Sequence, residues 1–456
     1  MISPWPHQEQ TRQLGAASDL VFDMSDPGTG KTLAHLLILD DDYNRGDNGR
    51  TLVVCPKTLM RSAWANELDD YFPHLGYSIA DAKNRIEAFD TGAPIVITNT
   101  DAAVFLAKNP KLLRGFDKLI IDESTAFKHA TSQRSKAMRQ LSKQFQRRSL
   151  LTGTPNPNSV TELWHQVLLL DGGKRLGTSF FHFRNSVQQS EQVGPMPNMV
   201  KWRDKPGATD AVFSLLSDIT IRHAFEDVMT HVPPNHVSRY SFDLNTKTQK
   251  IYEQFATNMV ATINNEQVTA VHASSLRQKL LQIASGAVYD GGDDRSYALV
   301  DTQRYELGLE LIEQYQHSIV FFNWFHQREE MSKLLTARGV PFAIIDGTVT
   351  QSQRDRIVTE FQAGRFQTVL LHPRTGAHGL TLTRGEACII LSPFYEADLL
   401  KQAIHRIYRG AQDKVTNTIL IQATKTVEAL VYERVDEKTL NMNDFLSLVV
   451  ASQRRR

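Results

Sequence analysis

Short apolar runs rich in branched side chains alternate with amphipathic stretches, and they constrain the fold more than any other feature of the chain. Each run is only four or five residues long. Runs of this length are typical of strands buried on both faces of a parallel sheet, with helices between them. In chain order they are Thr51–Cys55, Ile95–Thr98, Lys118–Ile121, Ser149–Thr152, Ser318–Phe322, Phe342–Ile345, Thr368–Leu371, Ala387–Leu391 and Asn417–Ile421. Because the pattern occurs twice, it predicts an α/β protein with two parallel-sheet lobes.

The spacing of these runs also indicates a domain boundary. With 456 residues the chain is too long for one ordinary core and suits two domains of about 200 residues each. Between the two sets, the strand pattern is replaced by helix-like stretches that include Thr246–Asn264 and Ser274–Ile283. Pro233 and Pro234 resist both helix and central strand. We predict a first lobe over 1–232 with a helical insertion at about 162–232, and a second lobe over 233–456 with one at about 245–298.

The composition is that of a water-soluble globular protein, with 41% hydrophobic and 22% charged residues. No run approaches the roughly 20 apolar residues that span a bilayer, and the first residues lack the basic and then apolar order of a secretion signal. Cys55 and Cys388 both lie in apolar runs and have no metal-ligand spacing. We therefore expect no membrane contact, no disulfide and no zinc, and a protein that stays in the cytoplasm.

The overall charge does not indicate a nucleic-acid partner, because 51 basic residues face 50 acidic ones. Any such contact has to come from a local cleft. One local excess exists between Thr131 and Leu150, where six residues are basic and none is acidic. They are Arg134, Lys136, Arg139, Lys143, Arg147 and Arg148. A solvated helix face and a phosphate-contacting surface explain this excess equally well.

A glycine-containing loop at residues 26–32 predicts a nucleotide-binding site. It follows the apolar run Leu20–Phe22 and precedes the apolar stretch Leu33–Leu39, which is the strand, loop and helix order of a phosphate-binding loop. Backbone N–H groups close on phosphate oxygens in such loops. Lys31 would reach the outer phosphates, and Thr32 would offer its hydroxyl to Mg²⁺. The loop residues predicted to surround the phosphates are Pro27, Gly28, Thr29 and Gly30. Ser25 stands where the general pattern has its first glycine.

Two adjacent carboxylates end the apolar run that follows. Asp122 and Glu123 come directly after Leu119–Ile121. Asp122 at a strand tip can hold the Mg²⁺ shell, and Glu123 can polarise the attacking water. Taken alone, such a pair is as often a helix cap or a surface acid as it is a catalytic pair. Together with the loop at residues 26–32, it predicts hydrolysis of ATP with Mg²⁺ as the cofactor.

Further strings of residues distinguish between the classes of phosphate-loop protein. In the first half they are His7-Gln8, Val53–Leu59 with Trp64 and Glu67, Asp122–Lys128, Leu151–Asn158 with Glu162–Trp164, and Ile221–Pro233 with Gln249 and Tyr252. In the second half they are Ile319–Phe322, Ile345–Gly347 with Arg354, Thr375–Leu382 and Gln402–Gln412. Together these strings resemble the Swi/Snf family of superfamily-two helicase-like ATPases. The resemblance covers nearly the whole chain.

The resemblance implies two RecA-like lobes with helical insertions of the Swi/Snf type. It places Gln8 on the adenine and adds Gly379 and Gln402 to the nucleotide-binding residues. Arg406 and Arg409 are three residues apart and would share one face of a helix. By resemblance they insert into the ATP site of the first lobe and act as catalytic residues. The alternative interpretation is a pair of surface arginines on an exposed helix.

The resemblance also implies DNA contacts on both lobes. Hydroxyl, amide and lysine side chains suit phosphates rather than base edges, so we expect binding to double-stranded or branched DNA without sequence preference. The candidates on the first lobe are Lys57, Thr58, Thr98 and Asn99. Those on the second are Asn323, Trp324, Thr375, Gly376 and Thr381. Trp324 can serve equally well in packing or in stacking.

Some positions depart from the family pattern, notably Gly410-Ala411, Thr381 and residues 392–395. Ser124 and the short insertions look most like the annealing-helicase (HARP-like) branch and its compact bacterial or viral relatives. The resemblance predicts a monomeric DNA translocase in a bacterial cell or phage-infected host, rather than in a nucleus. Three alternatives stay open: a strand-separating helicase, an ATP-gated regulatory module that binds a polymerase or other DNA-bound factor, and an RNA-directed motor.

Overall fold

The computed structural model describes residues 3–437, apart from 157, 194–198, 266–277, 290–295, 377–379 and 395. At 258–265 and 376 only the backbone is described. The chain divides into two compact units between Thr230 and His231. The boundary predicted from the sequence lies two residues later. Each unit contains one large parallel sheet, so the predicted α/β architecture with two RecA-like parallel-sheet lobes is confirmed.

The first unit is built on a seven-stranded parallel sheet. The strands of this unit are β1 (Leu20–Asp23), β2 (Arg50–Cys55), β3 (Tyr77–Ala80), β4 (Ile95–Asn99), β5 (Phe116–Asp122), β6 (Arg147–Leu151), β7 (Gln188–Gln192), β8 (Val200–Asp204) and β9 (Thr220–Ile221). The sheet has the order β3–β4–β2–β5–β6–β1–β9, and β7 pairs with β8 as a separate antiparallel hairpin.

Helices cover the sheet of the first unit. They are α1 (Pro6–Ala17), α2 (Lys31–Asn44), α3 (Asn66–Tyr71), α4 (Arg85–Asp90), α5 (Ala102–Lys108), α6 (Gln133–Ser142), α7 (Leu163–Asp171), α8 (Phe180–Val187), α9 (Ala208–Leu216) and α10 (Phe225–Val228). A π-helical turn, Met60–Ala65, precedes α3. Alternate residues of β2 enter opposite cores, because Leu52 and Val54 pack with one cluster while Val53 and Cys55 pack with the other. This two-sided burial explains why the run is apolar throughout.

The second unit repeats the arrangement with six parallel strands. Its strands are β10 (Asn235–Phe242), β11 (Ala287–Tyr289), β12 (Tyr297–Leu299), β13 (Ser318–Phe321), β14 (Phe342–Ile345), β15 (Thr368–Leu371), β16 (Ala387–Ile390) and β17 (Thr416–Ala423). The sheet order is β10–β17–β16–β13–β15–β14, and β11 pairs with β12 as an antiparallel hairpin.

The helices of the second unit include two that belong to the predicted insertion. The described helices are α11 (Thr246–Asn265), α12 (residues 278–284), α13 (Gln303–Glu313), α14 (Phe325–Arg338), α15 (Gln351–Gln362), α16 (Pro373–Gly376), α17 (Ala397–Ile404) and α18 (residues 427–437). The predicted helix Ser274–Ile283 lies in part outside the described residues. Among the described residues, no helix combines the length and the apolar character that a membrane crossing needs.

The predicted strands are all present, with bounds that shift by one or two residues at most. The sequence missed the hairpin strands β7, β8, β11 and β12, and it also missed β3, β9 and β10. The last three all lie at sheet edges. Strands β3 and β10 are largely half-buried or exposed, and β9 has only two residues, so none of the three forms a longer apolar run. The segment 162–232, predicted as a helical insertion, contains the helices α7 to α10 and, in addition, the polar hairpin β7–β8.

Candidate nucleotide and nucleic-acid sites

The loop at residues 24–30 joins β1 to α2 through a left-handed turn. Gly28 has a φ of 84° and Gly30 a φ of 75°, values that favour glycine because other residues clash there. A Cβ atom on Gly30 would also lie 2.4 Å from the side-chain nitrogen of Gln8. Lys31 and Thr32 then open α2, and both are half-buried. The backbone therefore adopts the predicted strand, loop and helix order.

Lys31 points back into the loop. Its Nζ donates to the carbonyl oxygens of Ser25 at 2.7 Å and of Asp26 at 3.1 Å. An ammonium group held among the carbonyls at the N-terminus of a helix lies where phosphates are bound in such loops. This geometry suits the phosphate contact predicted for Lys31.

The segment after β9 holds the loop from the other side, and the sequence had not assigned it to the nucleotide site. His223 donates its backbone N–H to the Ser25 hydroxyl at 3.1 Å and accepts from the Asp26 N–H at 3.0 Å. Arg222 forms a buried ion pair with Asp26, 2.9 Å between Nη1 and Oδ1. These bonds explain why a serine is accommodated at position 25, since its hydroxyl accepts a hydrogen bond that glycine could not.

Helix α1 contacts the same loop through its first turn. Gln8 accepts from the Trp5 N–H at 2.9 Å and donates to the Gly30 carbonyl at 3.2 Å. His7 lies 2.8 Å from the Thr29 carbonyl through Nε2. Gln8 is therefore anchored beside the phosphate loop, and its contact with adenine stays a prediction.

Asp122 is the last residue of β5 and is buried at the carboxyl edge of the sheet. Its Oδ1 accepts from the Glu123 N–H and its Oδ2 from the Trp64 indole N–H, both at 3.0 Å. Burial, followed by the negative charge of Glu123, raises the pKa of Asp122 to about 6. Glu123 itself has a φ of 54°, an uncommon conformation for a residue other than glycine and one found mainly at functional sites.

The chemistry of these side chains fits Mg²⁺. Hard divalent cations prefer oxygen ligands, and Mg²⁺ is usually held by one or two carboxylates together with substrate phosphates. Asp122 supplies a carboxylate at the end of β5, and Thr32 supplies a hydroxyl in the first turn of α2. A cation beside Asp122 would also offset the burial that disfavours its charged form.

The loop after β6 packs directly against the phosphate loop. A Cβ atom on Gly153 would lie 2.7 Å from Cδ of Pro27, so only glycine fits there. Thr152 donates its N–H to the Asp23 carbonyl at 3.0 Å. The Ser124 hydroxyl donates to Gln166, whose amide donates in turn to the Pro155 carbonyl, at 2.7 and 2.8 Å. This buried chain of hydrogen bonds connects the carboxylate segment with the loop after β6.

Of the DNA contacts predicted on the first unit, Lys57 is exposed and Thr58 is half-buried. The Thr58 hydroxyl oxygen is buried and lacks a hydrogen-bond partner among the described residues, so a contact requires rotation of the side chain. Asn99 accepts from Arg85 at 3.0 Å. The prediction for Thr98 is wrong, because its side chain is fully buried in β4 and its hydroxyl donates to the Ala80 carbonyl at 2.8 Å.

The candidates on the second unit differ in accessibility. Asn323 donates to the Ser392 and Pro393 carbonyls at 3.2 and 2.9 Å. Trp324 is half-buried and its ring is nearly parallel to that of His326, with 6.5 Å between centroids. The side chains of Asn323 and Trp324 line a cavity of about 450 Å³ at the carboxyl edge of the sheet. Thr375 is half-buried, Gly376 ends α16, and Gly379 lies outside the described residues.

The sequence predicts that the two motif arginines lie on a helix. In the structure they do not. Helix α17 ends at Ile404, and both arginines follow in consecutive turns. Arg406 is buried and donates to the carbonyls of Gln402 and Leu380, each at 3.0 Å. Arg409 is half-buried and donates to the exposed Thr381 hydroxyl at 2.5 Å. The prediction that Arg406 is a catalytic residue is not supported by its burial inside the second unit.

Gln402, a predicted nucleotide contact, is buried. Its side chain is 4% exposed, and its Oε1 is buried without a hydrogen-bond partner among the described residues. Its contact with a nucleotide stays a prediction. Gln412, in contrast, donates to the carbonyls of Thr383, Gly385 and Ile407 at 2.9, 3.2 and 2.9 Å. Gln412 therefore connects the loop that follows Thr381 to the turns that contain Arg406 and Arg409.

The six basic residues between Thr131 and Leu150 differ in exposure, and Arg139 is half-buried on α6. Arg147 pairs with Asp42 at 2.5 Å, and Arg148 donates to the Leu169 carbonyl at 3.4 Å, so both support the fold. Arg134, Lys136 and Lys143 are exposed on or beside α6. The exposed group is therefore the part of this stretch most accessible to a phosphate.

Comparison with known proteins places these features in a family. The SNF2-related domain matches residues 18–285, and the helicase conserved C-terminal domain matches residues 300–411. Protein p41 of Acyrthosiphon pisum secondary endosymbiont phage 1 is 27% identical over 431 residues, covering 90% of this chain and 91% of p41.

Longer relatives match over the same region. The human DNA annealing helicase and endonuclease ZRANB3 is 25% identical over 427 residues, covering 90% of this chain and 37% of ZRANB3. The chain thus spans little more than a third of that relative. The SWI2/SNF2 ATPase core of Sulfolobus solfataricus, solved in complex with double-stranded DNA, is 19% identical with a TM-score of 0.46, covering 99% of this chain and 95% of that chain.

Proposed function

The chain belongs to the SNF2-related family of helicase-like ATPases, and from this premise we propose that it hydrolyses ATP to translocate along double-stranded DNA. One observation supports coupling between the two activities. The exposed hydroxyl of Thr381, a predicted DNA contact, accepts a hydrogen bond from Arg409, a predicted ATP contact, at 2.5 Å. A phosphate of DNA that draws on the Thr381 hydroxyl would therefore change the position of Arg409.

The first unit supplies the residues that we expect to bind and hydrolyse ATP. Lys31 and the backbone N–H groups of residues 28–31 would bind the β- and γ-phosphates. Mg²⁺, held by Thr32 and Asp122, would neutralise charge on the phosphate oxygens. Glu123 is adjacent to Asp122 on a strained backbone and would orient the attacking water. As the more exposed arginine of its pair, Arg409 is the one available to neutralise charge on the γ-phosphate.

Sequence-independent DNA binding is the second part of the proposal. The candidates that remain exposed or half-buried present ammonium, hydroxyl or amide groups, which recognise phosphates and carry little sequence information. ZRANB3, a relative over 90% of this chain, is described as a DNA annealing helicase. Duplex or branched DNA is therefore the substrate to test first.

The decisive measurement is the ATPase rate of the purified chain with single-stranded, duplex, forked and four-way DNA and with duplex RNA. We expect stimulation by duplex or branched DNA at low salt, and none by RNA. Lys31→Ala and Glu123→Gln should abolish turnover while DNA binding, measured by anisotropy, is retained. An ATPase rate that is indifferent to every DNA would exclude the translocase.

Strand separation is a second candidate function, favoured by the hairpin β7–β8. Its described residues are largely exposed and mostly polar. An exposed hairpin would serve as the wedge that a strand-separating helicase requires, and the sequence did not reveal it. Displacement of a labelled strand from a forked DNA tests this function, with a variant in which Gly-Ser replaces residues 189–203. Unwinding that needs the hairpin would favour a helicase over a translocase.

A further inference from the structure

The turn that follows β2 reaches from the surface to the catalytic carboxylates. It begins near the exposed Lys57 and continues into the π-helical turn Met60–Ala65. The Ser62 hydroxyl donates to the Thr58 carbonyl at 2.6 Å and braces the start of the turn. π-Helical turns are rare and occur frequently at functional sites. Trp64 lies within this turn and is buried.

Trp64 is not accessible at the surface, although it belongs to the same family string as the predicted DNA contacts Lys57 and Thr58. Its side chain is fully buried in the core cluster that also contains Cys55, Met60 and Leu68. The indole Nε1–H donates to Oδ2 of Asp122 at 3.0 Å. The two residues are 58 positions apart in the chain. Trp64 therefore joins the Lys57 turn to the proposed Mg²⁺ ligand.

This hydrogen bond determines how Asp122 can use its oxygens. Each carboxylate oxygen has two lone-pair directions. One direction on Oδ1 is taken by the Glu123 N–H and one on Oδ2 by Trp64. The carboxylate plane is thereby fixed, and one direction on each oxygen stays available for a cation or its water. Without the indole N–H, only the Glu123 N–H would hold the carboxylate, and its orientation would be less strictly defined.

We propose that Trp64 is a positioning residue for ATP hydrolysis, which orients Asp122 and transmits displacement of the Lys57 turn to it when DNA binds. This inference rests on the proposed function for its DNA step only. The orientation of Asp122 depends on the hydrogen bond itself. The two steps therefore have separate readouts.

The first test replaces the indole N–H and measures Mg²⁺ binding without turnover. In Trp64→Phe, binding of a fluorescent ATP analogue is titrated with Mg²⁺. Hydrogen bonds to charged groups are among the stronger ones, so we expect the apparent Mg²⁺ affinity to fall about tenfold. DNA affinity, measured by anisotropy, should stay unchanged, while the ratio of DNA-stimulated to basal ATPase rate should fall.

The matched control is Trp164→Phe. Trp164 is a buried tryptophan of the same unit, 4% exposed, and its indole N–H donates to the Gly177 carbonyl at 3.1 Å. This variant loses the same ring and a similar hydrogen bond at a different place. We expect its Mg²⁺ affinity and stimulation ratio to equal those of the unmodified chain. Equal behaviour of the two variants in both measurements would reduce Trp64 to a packing residue.

A second substitution keeps the test decisive if the phenylalanine variant does not fold. Benzothienylalanine at position 64 preserves the shape of the side chain and lacks the N–H group. Weakened Mg²⁺ affinity in this protein supports the positioning role, and unaltered affinity overturns it. If the unmodified chain is not stimulated by DNA, the proposed function fails, while the Mg²⁺ titration still decides the role of Trp64.

Discussion

Burial separates the two arginines of the last motif, which are equivalent in the sequence. Arg406 satisfies two backbone carbonyls of the second unit and is 4% exposed. Arg409 is more exposed and contacts the Thr381 hydroxyl. We therefore assign a structural role to the first arginine and keep the catalytic role for the second.

Arg409→Ala should lower ATP turnover by about 10³-fold or more, the range found for arginine fingers, without lowering the thermal midpoint. Arg406→Ala should instead lower the free energy of unfolding by about 1–3 kcal/mol, because buried carbonyls lose their donor. Steady-state ATPase assays and thermal unfolding measure the two effects. Loss of turnover in a fully stable Arg406→Ala protein would contradict the assignment.

The burial of His223 beside the phosphate loop predicts that the chain becomes less stable as the pH falls. Burial lowers the pKa of His223 to about 4, below the ordinary value of 6.5. As the pH falls, His223 binds a proton in the unfolded chain before it does so in the folded chain. The stability that depends on a neutral His223 is therefore complete above pH 6.5 and is lost as the pH falls towards 4. The slope for one group is about 1.4 kcal/mol per pH unit. Urea unfolding at several pH values should show a flatter profile in His223→Gln than in the unmodified chain.

Elements distant in sequence converge on the phosphate loop. Strand β9 has only two residues, yet the segment after it supplies Arg222 and His223 to the loop. Helix α1 supplies Gln8, and the loop after β6 supplies Gly153. The rigidity of the nucleotide site is thus a property of several packed elements. A substitution in one of these elements should alter nucleotide binding even though the substituted residue does not itself contact the nucleotide.

Gly153→Ala tests this packing. The new Cβ would lie 2.7 Å from Cδ of Pro27, and a proline ring cannot rotate away. We expect the KM for ATP to rise about tenfold or more as the loop shifts. Gly76→Ala is the control, because its Cβ would meet Pro94 at an ordinary 3.4 Å in the same unit. An unchanged KM in Gly153→Ala would show that the phosphate loop accommodates the extra atom.

At the scale of the whole molecule, charge is balanced and each unit has its own sheet and core. The net charge of +1 provides no general attraction to DNA. Attraction must therefore come from local cations such as Lys57 and the exposed residues of α6. This balance has a measurable consequence in the salt dependence of DNA binding.

Lys57→Ala should weaken DNA binding to every sequence alike and reduce the slope of log affinity against log salt by about one, the value for one phosphate contact. Lys333→Ala is the control, since that exposed lysine is paired with Glu330 on α14. Anisotropy titrations between roughly 50 and 200 mM salt cover the useful range. Equal slopes in the two variants would remove Lys57 from the DNA surface.

Much of the fold and the nucleotide site could be predicted because the signals are local. Strands buried on both faces need apolar side chains at every position, so they are visible as runs. A phosphate loop needs glycine where φ is positive, and Gly28 and Gly30 meet that need within a few residues. Edge strands β3 and β10 have no such requirement on their exposed faces, and they were missed.

The sequence by itself determined the two sheets, the phosphate loop and the carboxylate pair, since each depends on neighbours in the chain. Only the tertiary structure decided which way a side chain of a motif points. Thr98 is directed to Ala80, Trp64 to Asp122 and Arg406 to Leu380, all through partners at least 18 residues away. Packing against distant elements determines which motif residues are buried and which can meet a ligand, and no local pattern encodes that choice.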